Sequence, residues 1–270
     1  MQDTEKPVNT SLRQLIVRST PEGFLFGKVS AKESSTAKLQ LFAAVDFPDM
    51  FVSFLKENNW AKRPELKATV IDFTNRFMIV PNKLAEDESL EAFFNFQNGD
   101  EGEQQIYTAP LNDDKQLFCW EIPTERDRNF EKWLPNMTLW STGYIIANWT
   151  YHQAAESDVP TLTAHFHGHH MQLFMADSDK LLFANTFIVR DSEEIAYFLL
   201  RCLEQMGLNP SKIHTFLCSE NRPFRELQEF LAPYLANIFE AEFSQNPDKL
   251  FRKTIKSIEP EPDDADDDDE

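Results

Sequence analysis

The sequence predicts an α/β protein of mixed sheets built as two similar lobes. Residues 161–243 read as strand, strand, strand, helix, strand, helix, strand, and residues 13–134 repeat that order more loosely. A chain of 270 residues that is 41% hydrophobic and carries 24 Phe has ample material for a large core.

The second half has the clearer punctuation. Residues 161–167, 171–176 and 181–189 are extended runs, the last two separated by the polar turn Asp177, Ser178, Asp179, Lys180, and predict an antiparallel meander. A helix follows. Asp191 is its N-cap, Glu194 completes a capping box, Ile195, Phe198, Leu199, Cys202, Leu203 and Met206 form its stripe, and Gly207 closes it with Pro210 beyond. Residues 213–218 read as a strand. Pro223, at a first helical position, opens a helix with the stripe Phe224, Leu227, Phe230, Leu231, Tyr234, and the alternation Phe239, Ala241, Phe243 makes a final strand. Helical crossovers return a chain to a parallel neighbour, so this is the ribonuclease-H-like order.

In the first half, 13–18, 23–30 and 39–45 form the meander and 49–59 a helix. Residues 68–73 and 77–80 are extended, 86–96 helical, 98–103 a mobile loop, 117–122 a strand, and 124–134 a helix stopped by Pro135. Phe93, Phe94 and Phe96 are expected in the core. The aromatic-rich stretch 139–155 predicts a linking helix, because Trp140, Ile145, Ile146, Trp149 and His152 fall near one face. The expected organisation is a first lobe over 1–138, linking helix and second lobe over 139–258, and an acidic tail over 259–270 too polar to fold.

The formal net charge of −19 includes nine acidic residues in 259–270, and no basic block occurs anywhere. Phosphate backbones are gripped by Lys and Arg, so no nucleic acid partner is expected. Cys119, Cys202 and Cys218 are far apart in apolar runs, which predicts reduced core thiols. The acidic start does not read as a signal peptide, and no run approaches the roughly 18 apolar residues of a membrane span, so a cytoplasmic protein without a membrane span is expected. Only seven glycines occur, none closer together than three residues. Loops that cradle phosphate use glycine where backbone must approach the anion.

Two such halves, joined by a helix ending just before Thr163, Ala164, His165, Phe166, His167, Gly168, resemble the duplicated fold of the sugar kinase, chaperone and actin ATPases. More narrowly, the chain resembles an uncharacterised family of Bacteroidota proteins with this actin-like ATPase fold. The wider resemblance implies an Asp-x-Gly turn in the first hairpin of each lobe, organising metal and phosphate, and a Gly-Gly pair after a late strand. Here the first hairpin reads Ser19, Thr20, Pro21, Glu22, Gly23, the second Phe166, His167, Gly168, and the late loop Cys218, Ser219, Glu220, Asn221. All three nucleotide motifs are missing. Glu22, Gly23, His167, Gly168 and Ser219 are the cleft candidates, no catalytic residue is assigned, and no cofactor is expected. The alternative is ATP with Mg, bound as a switch or hydrolysed through non-standard residues.

Four of the six histidines lie in His165, Phe166, His167, Gly168, His169, His170. Their spacing resembles the zinc motif of metallo-β-lactamase-like hydrolases, but that motif leads into a helix and this one into a strand. Strand alternation puts His165, His167 and His169 on one face, a candidate Zn site without an evident second ligand set. Asp46, Asp72 and Glu121 adjoin strand ends, where acid/base groups and solvated loop carboxylates both occur. The overall expectation is a pseudo-ATPase acting through contacts with an unknown protein partner.

Overall fold

The computed structural model describes residues 12–21, 23–30, 41–43, 49–57, 59–99, 102–111, 115–219 and 223–241. The first lobe begins with β1 (Leu12–Thr20), β2 (Gly23–Ser30) and β3 (Leu41–Ala43), then α1 (Asp49–Glu57) and β4 (Lys67–Asp72). Next come β5 (Phe77–Pro81), α2 (Asp87–Asn98), β6 (Gln104–Leu111) and β7 (Gln116–Pro123). Then α3 (Thr124–Trp133), β8 (Met137–Ser141) and α4 (Thr142–Ser157) lead to the second lobe. That lobe is β9 (Thr161–His167), β10 (His170–Ala176), β11 (Leu181–Ile188), α5 (Ser192–Gln205), β12 (His214–Ser219), α6 (Phe224–Leu231) and β13 (Ile238–Glu240).

The duplication is explicit in the sheets. One runs β3-β2-β1-β4-β8 and the other β11-β10-β9-β12-β13, so each strand has a counterpart at the same place. In each, the first three strands are antiparallel and the last two join parallel through helical crossovers. What breaks the symmetry is the segment between β4 and α3, which makes a third sheet, β5-β7-β6, with α2 packed on it.

Helix α5 has its predicted N-cap and closing glycine, but Glu194 engages the residue before the N-cap, where a capping box would engage the N-cap itself. Asp191 accepts from Glu194 N at 2.8 Å, and Glu194 reaches back to Arg190 N at 2.8 Å. At the other end Gly207 N meets Glu204 O and Leu208 N meets Leu203 O, the paired bonds of a Schellman cap. Four other expectations change. The linking helix starts at Thr142, because residues 139–141 belong to β8 and Ser141 caps α4 by accepting from Gly143 N and Tyr144 N. Residues 104–111 are a strand that the sequence pattern missed. Pro223 is the N-cap of α6 and not its first helical residue. Of the three phenylalanines on α2 only Phe94 is core, while Phe96 is 93% exposed. The final strand is Ile238–Glu240, and Phe243 lies outside the described residues, as does the acidic tail.

The largest core cluster belongs to neither lobe alone. Ile16 and Ile71 of the first sheet, Phe77, Phe118 and Trp120 of the third, and Phe174 and Cys218 of the second all pack with α4. Phe77 stacks on Phe118 at 5.2 Å and on Phe174 at 5.7 Å between ring centres. Tyr107, Trp120, Tyr144 and Trp140 continue this as a column of nearly parallel rings. Gly143 permits the approach of α4, since a Cβ there would meet Phe118 Cζ at 3.1 Å. Gln116 of β7 pairs with both backbone groups of Leu181, at 3.1 and 3.0 Å. No helix among the described residues is long and apolar enough to cross a membrane.

Candidate functional site

The carboxyl ends of parallel strands are where open α/β sheets gather ligand-binding groups. In the first sheet the ends of β1 and β4 meet in a closed knot. Ser19 Oγ donates to Asp72 Oδ1 at 2.5 Å and accepts from Phe73 N at 2.7 Å, and Arg126 Nη1 donates to the same carboxylate oxygen at 3.2 Å. Asp72 is fully buried, and its Oδ2 has no partner among the described residues. Burial pushes its carboxyl above the usual range, opposed by Arg126 and Ser19. The Ser19 proton is committed to Asp72 and one of its two lone pairs to the Phe73 amide, so this hydroxyl ties the ends of β1 and β4 together.

From that knot the chain turns straight into the second lobe. The Phe73 ring lies 5.9 Å from His167, 6.4 Å from His165 and 5.8 Å from His170, the last edge-on. Gln172 Nε2 donates to Thr74 O at 2.9 Å and Asn75 Nδ2 donates to His170 Nδ1 at 3.2 Å. Because the Gln172 amide NH2 is directed at Thr74, its Oε1 faces His165 Nδ1 at 3.3 Å. Arg76 then ties to Glu121 on β7 of the third sheet at 2.5 Å and to Gly99 O at the end of α2 at 3.2 Å. Residues 72–76 thus join all three sheets.

The two hairpins are each held by their own devices. In the first, Thr20 Oγ1 accepts from Gly23 N at 3.0 Å and donates to Gly23 O at 3.2 Å, so this glycine amide is engaged within the turn. Glu22 lies outside the described residues. In the second, Gly168 takes φ 57° as the first loop residue between the paired His167 and His170, where two-residue hairpins need a positive φ. Ser219 ends β12 beside Phe166, half-buried. Asp46 is outside the described residues.

The histidines do not converge. His165 and His167 are buried on β9 against Phe73, whereas His169 is exposed in the turn with Nδ1 3.3 Å from Val189 O. Among the described residues no group of three or more His, Cys, Asp or Glu is placed to hold a metal. All three cysteines are buried, and burial pushes the Cys119 thiol up to about 12 and Cys202 to about 11. Phe73, Gln172 and the pairing of Asp72 with Arg126 were not foreseen from the sequence. The one available signal was the Asp-Phe step at the end of an apolar parallel strand.

Sheet order, duplication and a linking helix define an actin-like ATPase fold. The solved structures agree. A Bacteroides thetaiotaomicron protein with an actin-like ATPase fold and unknown function superposes with a TM-score of 0.80 at 15% identity, over 94% of this chain and 100% of that one. The PilM-PilN type IV pilus biogenesis complex gives a TM-score of 0.54 at 12% identity, over 93% and 100%. The chain belongs to the DUF3822 family of proteins of unknown function, which it matches over residues 2–238. No curated protein matches it.

Proposed function

We propose that this protein is a non-catalytic member of the actin-like fold that works by contact with another protein, its nucleotide site filled in by its own side chains. The observation that carries the reading is Phe73 packed on His165, His167 and His170. It occupies the junction between the two hairpins that hold phosphates in the ATPases this chain resembles. Phosphoryl transfer depends on metal and amide donors aimed at developing charge. The Gly23 amide is engaged by Thr20, and one oxygen of Asp72 by Ser19 and Arg126, which supports the reading. That the PilM neighbour is one component of a complex fits a fold used for docking.

Calorimetry with Mg-ATP tests the reading. No heat at millimolar nucleotide is expected for the full chain, and micromolar binding would replace it with a nucleotide-controlled switch. Phe73→Ala sharpens the result: binding that emerges only in this variant would assign Phe73 as the plug.

A further inference from the structure

In a chain of net charge −19, three lysines converge on one indole. Lys62 Nζ lies 5.0 Å, Lys56 Nζ 5.1 Å and Lys132 Nζ 5.5 Å from the centre of the Trp133 ring. None of the three forms an ion pair among the described residues, whereas Arg63, Arg76, Lys115, Arg126, Arg128, Arg190 and Arg201 all do. The gathering is built by the fold. Lys56 is in the last turn of α1, Lys132 is in the last turn of α3, and Lys62 N bonds to Trp133 O at 3.0 Å with Lys62 held at φ 55°. All three ammonium groups are exposed and sit within roughly one screening length of each other, about 8–10 Å at physiological salt. The two helix C-termini contribute about half a negative charge each, and Glu57 and Glu131 flank Lys56 and Lys132 in sequence, but among the described residues neither carboxylate pairs with the three lysines.

We infer that this patch docks the acidic segment 259–270 of the same chain. That segment carries nine carboxylates and almost no apolar surface, so charge is what it can offer a binding site. Reach is sufficient. The described chain ends at Ala241, and the 17 residues before Glu259 span up to about 60 Å when extended. A globular chain of this length has a radius of gyration of about 18 Å, so that tether reaches most of the protein surface. Docked there, the acidic segment covers the basic spot against acidic partners, a role independent of whether the inter-lobe site takes a nucleotide.

Zero-length carbodiimide cross-linking of the full chain at low salt, mapped by mass spectrometry, tests this. The expected products join Lys56, Lys62 or Lys132 to residues 259–270 and fall at least several-fold at about 1 M salt, where the screening length shrinks to about 3 Å. Products confined to the nearby Lys249, Lys253 and Lys256, or spread over the scattered Lys67, Lys83, Lys180 and Lys212, would overturn the inference. So would products that join isotopically distinct chains in a mixed sample, since these would make the contact one between copies. A nitroxide on Ala265→Cys supplies a readout without lysine chemistry: broadening centred on the Trp133 indole is expected, to be lost in the K56Q/K62Q/K132Q variant. Broadening elsewhere or nowhere would also sink it.

Discussion

The two hairpins at the heart of the molecule occupy equivalent places in duplicated sheets, yet they are finished in opposite ways. The first, between β1 and β2, is clasped by a side chain: Thr20 Oγ1 takes both backbone groups of Gly23. The second, between β9 and β10, relies on backbone geometry at Gly168 and turns its histidines outward to the other lobe. Each glycine thus has a local structural reason to be there, and neither reason involves a phosphate. A shared topology fixes where a site could be, while the side chains around it decide whether it is open.

The comparison can be broken most forcefully through the core between the lobes. Phe174→Ala, which removes the second lobe's ring from the stack on Phe77, is expected to cost about 3–5 kcal/mol in urea unfolding, with one transition for the whole chain. Two transitions would show that the lobes are energetically separate. Gly168→Ala places a Cβ at φ 57° and is expected to cost about 1–2 kcal/mol. A neutral result would return Gly168 to the list of groups kept for a ligand. Thr20→Val removes the clasp of the first hairpin at an expected cost of about 0.5–1.5 kcal/mol. Thermal melts of both hairpin variants would show whether the second hairpin is the more sensitive.

The subtlest prediction concerns pH. The folded Asp72 carboxyl titrates above its ordinary value because burial dominates, so the folded state holds this proton more tightly than the unfolded chain does. Its contribution is present in full below the ordinary aspartate value of about 3.9 and is lost as pH rises through the folded value. The melting temperature of wild type minus that of Asp72→Asn should therefore fall from about pH 4 toward neutrality. A constant difference would mean that Arg126 and Ser19 offset the burial completely.

How far these features could be read in advance follows from their range along the chain. Asp191 and Gly207 speak within one helical turn of themselves, and α5 starts and stops where they specify. Strand β6 was hidden because it is an edge strand whose exposed residues, Gln105 on one face and Thr108 and Pro110 on the other, leave little apolar alternation to announce it. In α4, nine residues around the whole circumference are buried, so no stripe marks its start against β8. Phe73 meets histidines more than 90 positions away, and no local pattern encodes that pairing. Composition flags the scarcity of glycine, but the packing of Phe73 on the histidines is a tertiary contact.

The core shared by Ile71, Phe118, Phe174 and α4 also bears on how this protein can be taken apart. The two sheets of matching strand order meet at α4, and the β5-β7-β6 sheet packs across that junction through Phe77 and Phe118. A fragment ending at Ser157 would leave Phe77 and Phe118 without Phe174, and one beginning at Thr161 would expose Phe174 and Cys218. Neither half should stand alone, and mixing the two should restore what each lacks.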